Sequence, residues 1–462
     1  MRLGALLGTT LLCIPLTLVL ACVGDEPVAA NPAPFGGTDA GEAGTQPSVD
    51  AGAEAAGPTT SIQVTPEGND NADGYLKPVK TLKRALGIAK AGDTVKLAAG
   101  RYDASSGETF PAKVPDGVTV MGLAGGGSIL GGTRAEPAIV VGSGTIQDLE
   151  IDSFKVGIHV SGTASLKGLR IRKSVTAIAA DGAAKITAQD IDITGNLTSC
   201  DAGVALSGDA DLTVVSLATR SLGTTLSAEA NATATVGKSR WEGDPGCNDP
   251  VLAFATKKRV ALSETVLDGG RVGIAFGTAG TTPGAFDFAK ASAVRNMSGN
   301  ALVGGNVTAT LNDVELSMNG RMGIEASSGA WDLKAVSIKQ NAVAGIYLQG
   351  ASAIVKGKLL LRSSTVTQNG GDGIYLFDNT QGDLGTGASA GGNTIAGNAG
   401  AGINVAGFTG ATTISAVGNT WRPSVQSANA LGRYVGGVSA NGPVARVTGN
   451  NYAITAGWSL DL

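Results

Sequence analysis

With one histidine, His159, in 462 residues, the chain cannot build a His-rich metal centre, and no Ser nucleophile motif accompanies it. Aromatic residues make up only 4% of the chain and charged residues 16%. The net charge is −4 and no basic block occurs, so nothing points to a nucleic-acid partner. The apolar run Leu6–Leu20 is too short for a membrane span. Cysteine is scarce, at four residues. Glycine is abundant instead, at 70 residues, and small residues with few large rings suit a narrow, closely stacked β coil.

The repeats bear this out. Asn319-Gly320-Arg321-Met322-Gly323-Ile324 returns as Asn341 to Ile346, Asn369 to Ile374 and Asn398 to Ile403. Weaker copies lie upstream at Gly157-Ile158, Ala177-Ile178, Gly203-Val204 and Gly273-Ile274, in steps of 20 to 35 residues. Repeats of that length with β content imply coils stacked as a solenoid. Between them run short alternating strands such as Leu149-Glu150-Ile151-Asp152 and Leu169-Arg170-Ile171-Arg172. Alternation places Leu149, Ile151, Leu169, Ile171, Ile191 and Ile193 inside and their neighbours outside.

The first 21 residues read as a signal segment, and Val19-Leu20-Ala21-Cys22 resembles a bacterial lipobox with cleavage before Cys22. That resemblance implies lipidation of Cys22, and Val23 after it implies the outer membrane, facing periplasm or cell surface. Residues 22–60 hold almost no large apolar side chains and read as a flexible tether. The expected body is residues 61–462, of which 61–122 form an N-terminal cap. Cys13 leaves with the signal, so Cys200 and Cys247 are expected to pair. Each precedes a repeat by three residues and the two lie two coils apart, roughly 9.6 Å at the usual strand spacing, beyond disulfide reach. Their long turns must therefore fold over the short turn at Gly223.

Thr81 is the N-cap of a short amphipathic helix carrying Leu82, Ala85, Leu86 and Ala89 on one face. Such a helix would cover the open edge of the first coil. Gly68-Asn69-Asp70, Lys77-Pro78, Thr81-Leu82, Gly92-Asp93-Thr94, Gly100-Arg101-Tyr102 and above all Gly107-Glu108-Thr109-Phe110-Pro111 resemble an uncharacterised bacterial domain family. The later repeats are similar to those of the pectin-lyase-like superfamily and NosD-type periplasmic proteins. The resemblance implies an all-β, right-handed, single-stranded parallel β-helix and no established reaction.

Several constellations carry chemistry. Glu150, Arg170 and Asp190, with Asp152, Arg172 and Asp192, repeat at 20 residues and are expected to stack acid, base, acid on three coils. A salt ladder is the preferred reading. The alternative takes the four acids as a calcium site with Arg170 or Arg172 as base, since β-helical polysaccharide lyases use such parts. An Arg flanked by two acids is held protonated, which opposes that role. Asn69-x-Asn71-x-Asp73-Gly74 imitates the start of a calcium loop but has Lys80 where an acid is needed, so a polar turn is preferred. Asn296, Asn319, Asn341, Asn369 and Asn398 form a row read as a structural ladder.

Tyr347 and Tyr375 share one outward position, with Glu325 before them, Asn404 after and Asp378 nearby. Stacked rings beside polar groups suit a sugar chain, although ring packing alone is the preferred account. The arrangement of β-helical galacturonan hydrolases is not found. The sequence therefore favours a lipid-anchored, non-catalytic polysaccharide-binding or structural surface protein, with a calcium-dependent lyase of uronate-containing glycans as the alternative.

Overall fold

The computed structural model describes residues 60–277, 284–350, 357–378, 380–406, 414–422 and 432–435. The signal segment, Cys22, the tether up to residue 59 and the closing copies beyond Val435 lie outside them. The described strands belong to a parallel β-solenoid.

One coil shows the pattern. Val156–Val160 runs along the first face, Ser161-Gly162 turns, and Thr163–Arg172 follows as a strand bent in its middle. Strands like the first stack into a 14-stranded sheet, and the bent ones belong to a 24-stranded sheet. The bends and corners fall on residues in the left-handed region. One column holds Asp148 (φ 57°), Gly168 (60°), Asp190 (55°) and Ser216 (67°); another holds Ser153 (66°), Lys173 (51°), Met318 (55°) and Gln340 (57°). Each left-handed non-glycine residue costs about 1–2 kcal/mol. Backbone bonds to the next coil offset this: the Asp148 amide donates to the Lys167 carbonyl at 2.9 Å and the Lys173 amide to the Thr194 carbonyl at 2.8 Å.

Inside, the apolar residues form continuous rows. Leu149, Ile151, Leu169 and Ile171 have no solvent exposure, and Ile191 and Ile193 almost none. The few large rings concentrate in the middle coils, where Phe276 stands edge-on to Phe254 (5.5 Å between centroids), Phe286 (5.2 Å) and Trp331 (5.5 Å).

A ladder of buried asparagines lines one corner. Asn319 Nδ2 donates to Asn341 Oδ1 (2.8 Å), Asn341 Nδ2 to Asn369 Oδ1 (3.0 Å) and Asn369 Nδ2 to Asn398 Oδ1 (2.8 Å). Each of those oxygens also accepts the amide of the preceding member, and each nitrogen also reaches a backbone carbonyl, as Asn341 Nδ2 does to Leu316 (3.2 Å). Asn296 is not a member. It sits one residue earlier, at an exposed left-handed corner, and Met297 takes the ladder place with its amide donated to Asn319 Oδ1 at 3.1 Å. A second ladder, Asn393 to Asn419 (2.8 Å), was not expected, although Gly-Asn-Thr occurs at both places.

The N-terminal region explains its own motif. Helix α1 (Leu82–Ile88) is capped by Thr81, whose hydroxyl accepts the Arg84 amide, and it buries Leu82, Ala85 and Leu86. The buried Glu108 carboxylate accepts the Leu82 and Lys83 amides at 2.6 and 3.0 Å. Its burial pushes its pKa up, against the lowering effect of those amides. Gly107 makes this possible, since its φ of 91° turns the chain back toward the helix. Asp70 accepts the Lys80 and Thr81 amides at 2.8 and 2.9 Å. Helix α1 packs on Ala112–Val114, the outermost strand of the 14-stranded sheet, which covers that edge.

Cys200 and Cys247 are joined, with Cα atoms 5.7 Å apart, and their turns meet over Gly223. A Cβ there would stand 2.9 Å from the Cys200 Cβ. Beside them Arg134 holds the buried Asp201 through both nitrogens, at 2.7 and 3.2 Å.

Ile171→Asp is expected to lose about 3–5 kcal/mol by burying an unpaired charge, enough to abolish cooperative melting at ambient temperature. Unchanged thermal unfolding would refute the register. Asn341→Ala removes the oxygen that accepts both the backbone amide and Nδ2 of Asn319, and should cost about 3 kcal/mol. Calorimetry on that variant beside Asn296→Ala, which gives up one exposed hydrogen bond to Asp268 (2.7 Å) and should cost only about 1 kcal/mol, separates ladder from corner.

Candidate functional site

The acid–base–acid rows are rearranged. Arg170 stacks on Glu150 as expected, but Asp192, not Asp190, lies opposite it on the next coil, and Arg172 sits between Asp152 and Thr194. The cause is in the turn. Two residues separate Val160 from Thr163, whereas four separate their partners Ala180 and Lys185, so the next strand is displaced by two. Asp190 becomes a left-handed corner residue.

The ion pairs are diagonal. Arg172 Nε lies 3.3 Å from Glu150 Oε1 without a good hydrogen-bond angle, and Arg101 reaches Asp152 at 3.4 Å. Arg170 has no ion pair among the described residues; its Nη1 donates to the Gly125 carbonyl at 2.6 Å. It borders a pocket of about 360 Å³ with Asp148, Asp190, Asp192 and Ser216, where Asp192 Oδ1 is buried without a partner. The four carboxylates do not gather: among the described residues no three acidic, His or Cys groups stand close enough to hold a metal ion. The calcium site weighed as the alternative at Glu150, Asp152, Asp190 and Asp192 is therefore not assembled. The loop at Asn69 spends its oxygens on backbone, with Asn69 Oδ1 accepting the Asn71 amide and Asp73 Oδ1 the amides of Tyr75, Leu76 and Lys77. His159 Nε2 meets Asp181 Oδ2 at 3.0 Å on the surface.

On the 14-stranded sheet Glu325, Tyr347, Tyr375 and Asn404 do share one register column. The two rings stand edge to face, 5.1 Å apart at 77°, so they pack on each other and do not form one flat platform. Burial, then the Tyr375 ring and the Glu325 carboxylate, push the Tyr347 pKa up. Glu325 accepts from Asn300 Nδ2 and Asn404 donates to Asp372, both at 2.7 Å. Asp378 ends the Tyr375 strand at a left-handed position.

A more developed concavity lies on the outer face of the 24-stranded sheet. A groove of about 770 Å³ runs along the solenoid axis across five coils. Two register columns build it: Thr308, Ala330, Lys358 and Gln381, beside Thr310, Asp332, Leu360, Asp383 and Ser415. Ala330 and Leu360 give apolar surface between polar groups. Arg362 fixes Asp383, with Nη2 2.8 Å from its carboxylate and Nη1 2.9 Å from its carbonyl. Asp332 and Lys358 are exposed and have no ion pair among the described residues. No sequence motif marks this groove, because its members are separated by unequal numbers of residues.

No curated protein matches the sequence. Solved structures with a similar chain path include the mannuronan C-5 epimerase AlgE6 A-module of Azotobacter vinelandii, at 13% identity over 80% of this chain and 93% of that one, TM-score 0.28. Another is a mannuronic acid specific polysaccharide family 6 lyase from human gut microbiota, at 12% identity over 79% and 86%, TM-score 0.36. Pectate lyase Pel9A aligns at 12% identity over 84% and 80%, TM-score 0.28. Likeness at this level is one of β-helix fold and brings no reaction with it. Residues 279–424 match the right-handed beta helix region, and the fold is a right-handed parallel β-helix. Residues 66–332 match the family described as protein of unknown function (DUF1565), and the chain belongs to that family.

Proposed function

We propose that this protein is a cell-envelope β-helix protein that binds polysaccharide without cleaving it and is held at the outer membrane by lipid on Cys22. The axial groove carries the binding reading. It is open along its length, mixes hydroxyl, amide, carboxylate and ammonium groups with apolar patches, and follows the direction in which an extended chain can meet five coils in turn. Asp332 and Lys358 are free to exchange water for ligand hydroxyl or carboxylate groups. The lipid anchor rests on Val19-Leu20-Ala21-Cys22.

A second reading, a calcium-dependent lyase of uronate-containing glycans, draws on one observation, the absence of an ion pair at Arg170. Its Nη1 is spent on the Gly125 carbonyl, and among the described residues no carboxylate cluster able to hold calcium stands beside it.

Affinity electrophoresis through gels containing xylan, hydroxyethyl cellulose, alginate or polygalacturonate is expected to retard the purified protein in at least one. Lys358→Ala with Asp332→Ala should weaken that retention about tenfold. Unretarded migration in all four would defeat the binding reading. Incubation with alginate or polygalacturonate, with and without calcium, should leave the ultraviolet absorbance of unsaturated sugar ends flat; calcium-dependent growth would establish the lyase.

A further inference from the structure

The groove does not end the column that forms it. Followed toward the N-terminus, the register that joins Asp332 to Thr310 continues through Asp287 and Ala261 to Thr235, Thr213, Thr187, Ser165, Thr145 and Thr119. Six successive coils therefore place a hydroxyl at the same outward position, one per rung of about 4.8 Å. The separations between these residues range from 20 to 26 residues, yet the column holds because the extra residues enter at turns.

Thr favours strands for packing reasons, and cross-strand Thr pairs stabilise a sheet by about 0.2–1 kcal/mol. Two observations go further. Ser165 has no β-branch and keeps the pattern only through its hydroxyl. None of the six hydroxyls makes a hydrogen bond within the protein among the described residues, whereas the corner hydroxyls of Ser239, Ser292 and Ser364 are each spent on backbone. From Ser165 to Thr235 the column is exposed.

The geometry points to one axial binding path, in which a polysaccharide engages the groove and runs on past Asp287 and Ala261 along the hydroxyl column, whose six coils each offer a donor and acceptor to the hydroxyl groups of the chain. This rests on the polysaccharide-binding reading and adds that the ligand is a long polymer lying parallel to the solenoid axis. Contacts repeated along one chain gain affinity through effective concentration, so length becomes the quantity read.

The test uses the full chain and a quadruple variant, Thr145→Val, Thr187→Val, Thr213→Val and Thr235→Val, which keeps β-branching and deletes hydroxyls. Thr187→Arg is a single variant that places a bulky cation in the path. Binding is measured to xylan and polygalacturonate and to their tetrasaccharides, with melting as the folding control. Both variants should lose about tenfold or more in affinity for the retained polymer, keep tetrasaccharide affinity and melt as the parent does. Parent-like polymer binding by folded variants overturns the path and leaves the groove reading standing. Absence of binding by the parent overturns the binding reading and the path with it. Thermal hysteresis of ice by the parent, lost in the quadruple variant without any loss of polymer affinity, also overturns the path and assigns the column to ordered water.

Discussion

Most described coils turn a corner on a single residue held in the left-handed region, and the rest of the architecture depends on that. A one-residue corner fixes where a strand ends and which face its next residue occupies. A slip of one residue would exchange inside for outside along the following strand. The chain accepts Asp148, Lys173, Met318 and Gln340 in a conformation glycine tolerates better, because each corner amide bonds the next coil. Much of the variation in coil length enters at turns such as Asp181–Ala184, where two additional residues leave the flanking strands in contact, and some enters as a bulge, as between Ala289 and Ser292.

From this follows how polar groups are managed inside. A corner that brings backbone amides into the core leaves donors to satisfy, and asparagine answers with an oxygen that accepts and a nitrogen that donates along the stack. The ladder works only when consecutive coils supply it, which is why Met297 can end it by donating its backbone amide. At the other terminus the same requirement is met by acids. Glu108 reaches back 26 and 25 residues to cap α1, and Asp70 reaches forward 10 and 11 residues to its approach, so Gly-Glu-Thr-Phe-Pro is a structural signature of the opening cap.

The sequence made the repeat, the alternation and the buried face legible. Ile151, Ile171 and Ile193 were identifiable from period two alone, because burial in a parallel stack depends on local alternation. Placement across coils was not legible. Asp190 was assigned beside Arg170 on equal spacing, and two residues added to one turn were enough to move it to a corner. Asn296 failed for a related reason: an Asn at a left-handed corner and an Asn in the adjacent ladder differ by one position and share the same side chain. The groove around Asp332 and Lys358 had no linear signature at all, since its columns exist only after the coils are set in register.

That last point bears on how such a surface carries function. A solenoid whose corners are fixed can vary its turns while keeping an outward column in place. The column from Thr119 to Thr235 survives unequal coils for this reason, and it meets the groove only through Ala261 and Asp287, the second of which is held by Arg259. Recognition distributed along a rigid axis requires little from any single residue, so no motif of the usual catalytic kind is needed. In the proposed axial path, many modest hydrogen bonds in register would carry recognition, and affinity would grow with the number of coils engaged.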